Sequence, residues 1–451
     1  MAAPRRDGDA GRMTVTRPLS RADKLAADTP PDRDRAIDVA RLGALLIVIF
    51  GHCALLLATI DAAGVRIGNI LGAIPALTPI TWVVQIMPLF FLAGGAAGAY
   101  GWNTGRAWGS WLFTRAQRLC RPVFWYLAAW TVGLVAVRFT LGARSAADLG
   151  RESVALLWFL GVYLVVLAFV PALTRLRSGR ATTAVVAALL AVAALNDAIR
   201  LAVGDPMAGV ANFVVVWLIP VVIGVAYARK LIGRLPALVA AVAAFAAQVV
   251  LVNVGPYEVA LVVTGTERLS NVSPPTLLLG LHCVWMSCLF VAAAGAIQRW
   301  AQRPRVWYVV AVGNGGAMTL YLWHIVAIAV AAFSLHAFGL DAYDVDAEGF
   351  WALLGLRAVV FAVIMFAMFR LLSPLEHLRL PWWDAPAGAT GARSTLAGLF
   401  VVAAGVAALL MAKNGLTGSG WTMLAAFVAT LAVARCCATA RSTQTPWTSA
   451  A

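Results

Sequence analysis

The first long apolar stretch of the chain carries an arginine and a histidine whose spacing suits a proton-transfer site. Arg41 and His52 are eleven residues apart, close to three helical turns, so both side chains project from one face. The helical rise puts His52 about 16 Å beyond Arg41, near the middle of a bilayer if Arg41 lies at its edge. Asp38 lies one turn before Arg41, where it can pair with it. A histidine at such depth normally faces a polar cavity and is suited to general acid–base work.

A structural interpretation of the same residues stays open at this point. Arg41 would then extend its guanidinium group to the lipid headgroups, and Asp38 would cap the helix. His52 would hydrogen-bond a neighbouring helix.

A row of arginines follows the second apolar stretch and is suited to binding phosphate. Arg115, Arg118 and Arg121 are spaced by three residues, so they line one side of a helix that enters the third stretch. Guanidinium groups bind phosphate oxygens through paired hydrogen bonds, so this row could hold the phosphates of a large anion. The alternative is the ordinary excess of basic residues in cytoplasmic loops.

A third set of polar residues lies in segment 313–324, within a late apolar stretch. The glycines at its start permit either close helix contact or a broken helix. Thr319, Tyr321 and His324 then supply hydrogen-bonding groups in apolar surroundings. A further set of polar residues within apolar stretches either lines a cavity or joins helices: Gln85, Asn196, Asp197, Asn212, Gln248 and His282.

The elements that must position these residues form a polytopic, all-α membrane bundle. Of the 451 residues, 62% are hydrophobic and 12% are charged, whereas a soluble globular protein carries about 25% charged residues to cover its surface. Apolar runs of about 20 residues are long enough to cross a bilayer. The sequence predicts twelve spans, near 37–59, 79–100, 122–140, 153–173, 182–203, 210–228, 236–254, 275–298, 307–335, 350–372, 394–412 and 421–437.

The distribution of charge orients this bundle. An even number of spans puts both termini on one side, and most Lys and Arg residues then fall in loops on that side, predicted to be the cytoplasm. Arg357 is one of the few basic residues assigned to the outer side. The net charge of +15 is therefore explained by orientation in the plasma membrane, and we expect no nucleic-acid partner. The six cysteines show no metal-ligand spacing, so we expect no metal.

Composition and spacing support two function classes equally. One is a proton-coupled secondary transporter that uses His52 and Asp38, and the other is a membrane enzyme. The residues described above resemble the acyltransferase-3 family of membrane proteins. Five blocks match in the family's order. They are the entry pattern of Asp38, Arg41 and His52, then 87–92, then Arg115, Arg118 and Arg121 before Pro122, then 157–160, and finally 319–324.

The resemblance implies that an acetyl or other short acyl group passes from cytoplasmic acyl-CoA to a hydroxyl or amine. The acceptor would be a glycan, a glycoconjugate or a small molecule, in many relatives at the cell envelope. His52 would act as general base or transient acyl carrier, with Arg41 and Asp38 orienting the site. By the same resemblance the CoA phosphates would be held by Arg115, Arg118 and Arg121, and the substrate pocket would include Trp158, Tyr321 and His324.

The resemblance also divides the chain into segments. A disordered cytoplasmic tail (1–34) precedes the acyltransferase-3-like transmembrane domain (35–380). A cytoplasmic linker (381–393), two additional transmembrane helices (394–437) and a cytoplasmic tail (438–451) complete the chain. The family core has about ten spans, so the last two helices are unexplained. The family often has Ser-Gly after its Phe-Phe pair, whereas this chain has Ala93-Gly94-Gly95, so no role rests on a serine there.

Overall fold

A computed structural model describes residues 20–61, 64–140, 142–265 and 267–439. The helices and strands of these ranges are α1 Arg21–Ala27, α2 Arg35–Leu55, β1 Leu56–Asp61, β2 Gly64–Asn69, α3 Ile70–Ala73, α4 Thr81–Val84, α5 Met87–Tyr100, α6 Trp108–Thr140, α7 Gly142–Ser153, α8 Trp158–Leu167, α9 Val170–Leu173, α10 Gly179–Val203, α11 Asn212–Ala228, α12 Arg234–Val254, α13 Leu277–Ala301, α14 Pro304–Gly315, α15 Ala317–His336, α16 Phe350–His377, α17 Gly391–Asn414 and α18 Ser419–Ala438. Short 3-10 helices cover Pro75–Ile80, Ala155–Leu157 and Pro206–Gly209.

The predicted all-α membrane bundle with twelve spans is confirmed. Twelve segments of the described chain are long and apolar enough to cross a membrane, and some of them join short helices end to end. Within the described ranges, the only named strands are β1 and β2, which form one antiparallel hairpin. We refer to the side of the bundle where α2 begins as the inner side, and to the opposite side as the outer side.

The helix of the first span ends at Leu55, earlier than the predicted boundary at residue 59. The backbone N–H of Leu56 still donates to the His52 carbonyl, but the chain then leaves the helix and runs as β1 beside β2. β1 packs against α15, and the Thr59 hydroxyl donates to Asp341, beyond the outer end of α15, at 2.6 Å. The strand therefore continues from the helix end toward the outer side, so His52 lies between the two sides of the bundle.

The predicted ninth span, near 307–335, contains two helices instead of one. α14 and α15 are separated at Gly316, where an added Cβ would lie 2.3 Å from the Phe369 ring. The Glu376 carboxylate accepts a hydrogen bond from the Thr319 N–H in the first turn of α15. That bond satisfies one of the amide groups that the break leaves without a helical partner. Of the two possibilities for the glycine-rich segment, the broken helix is the one observed.

Part of the predicted disordered tail is ordered. Residues 20–34 contain α1, which begins with a capping box and packs against α14. The Trp307 ring N–H donates to the Thr29 hydroxyl at 2.7 Å. The expectation of disorder is wrong for residues 20–34 because these contacts hold the segment against the bundle. Residues 1–19 and 440–451 of the two predicted tails lie outside the described residues.

The last two helices pack tightly into the bundle. α17 contacts α18, α8 and α6. The α8–α17 contact is backbone to backbone, since a Cβ added at Gly161 would lie 2.5 Å from the Gly405 carbonyl oxygen. Between α6 and the segment before α17, the Gln117 amide donates to the Trp383 carbonyl at 2.6 Å, and the Trp383 indole donates to the Gln117 carbonyl at 2.9 Å. α17 and α18 therefore support two helices, α6 and α8, that carry predicted site residues.

Candidate active site

The structure brings together the two histidines that the sequence singled out. His52 Nδ1 lies 2.9 Å from His324 Nε2, and the two rings are nearly parallel with centroids 5.1 Å apart. His52 is in the last turn of α2, and His324 is in α15. His324 is fully buried, whereas His52 is partly exposed. One imidazole is therefore enclosed by the bundle, and the other belongs to a residue that keeps part of its surface uncovered.

The hydrogen bonds determine which nitrogen of each neutral ring carries the proton. His324 Nδ1 lies 2.7 Å from the Tyr321 carbonyl oxygen, and a carbonyl oxygen only accepts, so Nδ1 carries the proton. His324 Nε2 is then an acceptor, and His52 Nδ1–H donates a hydrogen bond to it. The other nitrogen of His52, Nε2, keeps its lone pair. It is the atom that can take a proton from an acceptor group or attack a carbonyl carbon.

The inner part of α2 carries a polar cluster around Asp38. The Asp38 carboxylate accepts from Arg33 at 2.8 Å and lies 3.7 Å from Arg41, so the predicted Asp38–Arg41 pair is present. The Asn314 amide donates to the Asp38 backbone carbonyl at 2.9 Å, which ties the start of α2 to the end of α14. All four residues line a cavity of about 360 Å³. Arg41 thus stands beside a cavity at the inner end of the helix that carries His52.

Arg115 and Arg41 lie near the same tyrosine side chain. Tyr163, in α8, lies near both Arg41 and Arg115. Its ring fits against α5 because Gly94 has no side chain, and an added Cβ would lie 2.5 Å from the tyrosine oxygen. The Arg115 guanidinium stacks 3.8 Å from the centroid of the Trp111 ring and is partly exposed. The structure therefore places the first arginine of the row in the same region as the inner arginine of α2.

The other two arginines of the row have different surroundings. All three lie in α6, as their spacing predicted. Arg118 is exposed and forms no ion pair with any residue that the structure describes. Arg121 instead donates twice to one oxygen of Asp384, at 3.1 and 2.5 Å, and once to the Glu376 carbonyl at 3.2 Å. Its guanidinium group is occupied in holding the segment after α16 against α6.

The two aromatic residues predicted for the pocket make contacts within the protein. Tyr321 is buried, and its hydroxyl donates to the Leu156 carbonyl, which joins α15 to the start of α8. The Trp158 ring lies 5.7 Å from Trp217 and 6.3 Å from Phe159 and is partly exposed. Tyr321 also supplies the carbonyl that orients His324, so its position matters to the site through the backbone.

Two residues near the site were missed by sequence reasoning. Arg357 was assigned to the outer side, but it lies within α16, is only 2% exposed and donates to the Cys53 carbonyl at 2.8 Å. The side chain does not project from the outer surface of the bundle but points into it. Its place inside an apolar stretch was the available signal, since arginine is rare there and usually functional. Tyr163 left no comparable signal, because its neighbours come from distant parts of the chain.

Other polar groups within the spans join helices. His282 Nε2 donates to the Gln85 carbonyl at 2.7 Å, and its Nδ1 accepts from the Trp285 indole at 2.9 Å. Asp197 accepts from the Leu277 N–H at 2.7 Å, at the start of α13. No group of three or more His, Cys, Asp or Glu residues within the described ranges is arranged to hold a metal ion.

A comparison with known protein families gives a match over most of the chain. The Acyl_transf_3 family model, described as an acyltransferase domain, matches residues 34–372. This chain belongs to the acyltransferase-3 family. The matched segment contains both histidines and the arginine row, whereas α17 and α18 lie beyond it. No curated protein and no solved structure matches the chain.

Proposed function

We propose that this membrane acyltransferase moves an acetyl or other short acyl group from acyl-CoA to a hydroxyl or amine. The acceptor is a glycan, a glycoconjugate or a small molecule. The observation that carries the proposal is the His52–His324 pair, in which one nitrogen of a partly exposed imidazole is left with a free lone pair. A catalytic base requires such an atom within reach of the reacting group.

In the proposed reaction, His52 Nε2 takes the proton of the acceptor hydroxyl while the hydroxyl oxygen attacks the thioester carbonyl. The carbon–sulfur bond of the resulting tetrahedral species breaks, and the CoA sulfur leaves with the proton that the imidazole had taken. Throughout this cycle His324 accepts the hydrogen bond from His52 Nδ1–H and so holds the His52 ring in place. A second route through the same atom stays open, in which Nε2 first accepts the acyl group and then passes it to the acceptor.

The donor site of the proposal lies on the inner side. Arg115 and Arg118 are assigned to the CoA phosphates, since both are at least partly exposed and neither is neutralised by a carboxylate of the described chain. Arg121, which the family resemblance assigns to the same phosphates, is not included because it is bound to Asp384. Arg41 and Asp38 orient the inner end of the same helix. The excess of basic residues on this side supports its location in the cytoplasm, with the protein in the plasma membrane.

The alternative of a proton-coupled transporter keeps one observation in its favour. A break separates α4 from α5, and another separates α14 from α15; interrupted helices of this kind are common in transporters. The two classes differ in what they consume, because a transporter releases no CoA.

The test is the release of free CoA from acetyl-CoA by membranes that contain the protein, compared with membranes that contain His52→Ala. We expect the variant to insert and accumulate normally while acyl transfer and the associated CoA release are abolished. A fully active His52→Ala protein would rule out the mechanism. Proton-linked solute uptake without any CoA release would support the transporter instead. Comparing envelope material and secreted metabolites by mass, with and without the protein, would identify the acceptor.

A further inference from the structure

A buried guanidinium group lies next to the helix turn that carries His52. Arg357 is in α16, within a candidate membrane span, and is 2% exposed. A charged side chain inside a bilayer is costly, so it is kept where it has a role. The side chain cannot serve by reaching lipid headgroups, because it is enclosed by the bundle.

The contact that Arg357 makes explains its position. Its Nη2 donates to the Cys53 carbonyl at 2.8 Å. In a continuing helix that carbonyl would accept from the N–H of Leu57, but Leu57 already belongs to β1. A cation at a helix C-terminus is also favourable electrostatically, since the last carbonyls carry partial negative charge. Arg357 therefore closes the last turn of α2, in which His52 lies.

Besides that carbonyl, the Cys53 thiol lies close to the guanidinium group. None of the ion pairs between described residues includes Arg357, and its Nε has no hydrogen-bond partner. Arg200 offers a useful comparison. It is another buried arginine in a span, and it also donates to carbonyls, those of Ser270 and Pro274, but in a different part of the bundle.

We propose that Arg357 is a positioning residue for acyl transfer, holding the end of α2 so that the His52 ring stays bonded to His324. The inference rests on the proposed function of His52. The reasoning is geometric: His52 and Cys53 are consecutive, and the helix ends two residues later. Without the Arg357 contact, the last turn can unwind toward β1, and a displacement of about 1 Å at a reacting group costs about 10²-fold in rate.

The test compares Arg357→Met with Arg200→Met as a matched control, by kcat and KM for acetyl-CoA on protein quantified after purification. We expect Arg357→Met to lower kcat about 10²-fold with KM unchanged, and Arg200→Met to leave kcat close to the wild-type value. Arg357→Lys, which keeps one charged donor, should recover part of the lost kcat. Cys53→Ala removes the thiol but keeps the carbonyl, so its kcat should stay near wild type.

Several results would overturn the inference. A wild-type kcat in Arg357→Met, or a raised KM with unchanged kcat, would show that Arg357 does not position the base. If Arg357→Met does not accumulate, kcat and KM for acetyl-CoA are measured on Arg357→Lys instead, and the same outcomes decide. Loss of activity in His52→Ala together with full activity in Arg357→Met would refute only the positioning role. Full activity in His52→Ala would refute the proposed function itself.

Discussion

The hydrogen bond between the two histidines allows a sharp test of the proposed base. Replacing His324 with alanine removes the acceptor for His52 Nδ1–H, which is 2.9 Å away in the intact pair. The His52 proton is then free to move to Nε2, which would block the lone pair that the mechanism needs. The ring also loses the contact that fixes its orientation.

The expected magnitude follows from these two losses. One neutral hydrogen bond contributes about 1 kcal/mol net, which corresponds to about fivefold in rate at about 1.4 kcal/mol per tenfold. Loss of ring orientation raises the total toward about 10²-fold, the usual cost of misplacing a reacting group. We therefore expect His324→Ala to lower kcat by between about 5-fold and 10²-fold.

A second substitution separates hydrogen bonding from packing. In His324→Gln the side-chain carbonyl oxygen stands close to where imidazole Nε2 stood, so it can accept the His52 proton and keep the tautomer. We expect this variant to recover most of the rate that alanine loses. The matched control is His282→Ala, because His282 is equally buried but bonds only Gln85 and Trp285. It should reduce thermal stability and leave kcat per folded molecule unchanged.

The assay is the initial rate of CoA release from acetyl-CoA by purified protein, with thermal unfolding measured on the same samples. A kcat within fivefold of wild type in His324→Ala would show that His324 does not fix the tautomer of His52. So would equal losses in the glutamine and alanine variants, because only alanine lacks an acceptor.

The remaining predictions concern the donor site and the packing of the last helices. Arg118→Ala should raise KM for acetyl-CoA by about 10-fold or more, as expected for a lost charge-assisted bond to phosphate, without lowering thermal stability. Arg121→Ala should lower thermal stability and leave KM for acetyl-CoA unchanged, since Arg121 is paired with Asp384. A large rise in KM in this variant would contradict the assignment of Arg121 to a structural role. Gly405→Leu should lower the free energy of unfolding by about 1–3 kcal/mol through overpacking against the α8 backbone. Gly355→Leu, at a position with open space, should not, and equal unfolding midpoints for the two would argue against that contact.

Much of the fold was accessible from the sequence because membrane crossing depends on local properties. The length and apolarity of each stretch led to twelve spans, and the structure has twelve candidate spans. The boundaries that failed did so where distant residues intervene. α2 stops at Leu55, where Arg357 takes the Cys53 carbonyl, and the ninth span breaks where the Phe369 ring occupies the space beside Gly316.

The candidate site divides in the same way. Helical period alone aligned Arg41 with His52 and put the arginine row on one helix, since both statements concern residues close together in sequence. That Arg121 is occupied and Arg118 is exposed was not visible in their spacing. The difference arises from Asp384, which lies far along the chain and reaches α6 only when the segment after α16 folds back.

The amino-acid sequence was enough to predict a many-helix membrane protein with a histidine in its first span and basic residues on one side. These features follow from composition and from the 3.6-residue repeat, which act over a few turns. The partner of His52 could not be predicted in this way, because His324 lies 272 positions further along the chain and meets it only after folding. That pairing decides which imidazole nitrogen is free, because a proton's location depends on the partner at the other end of the hydrogen bond.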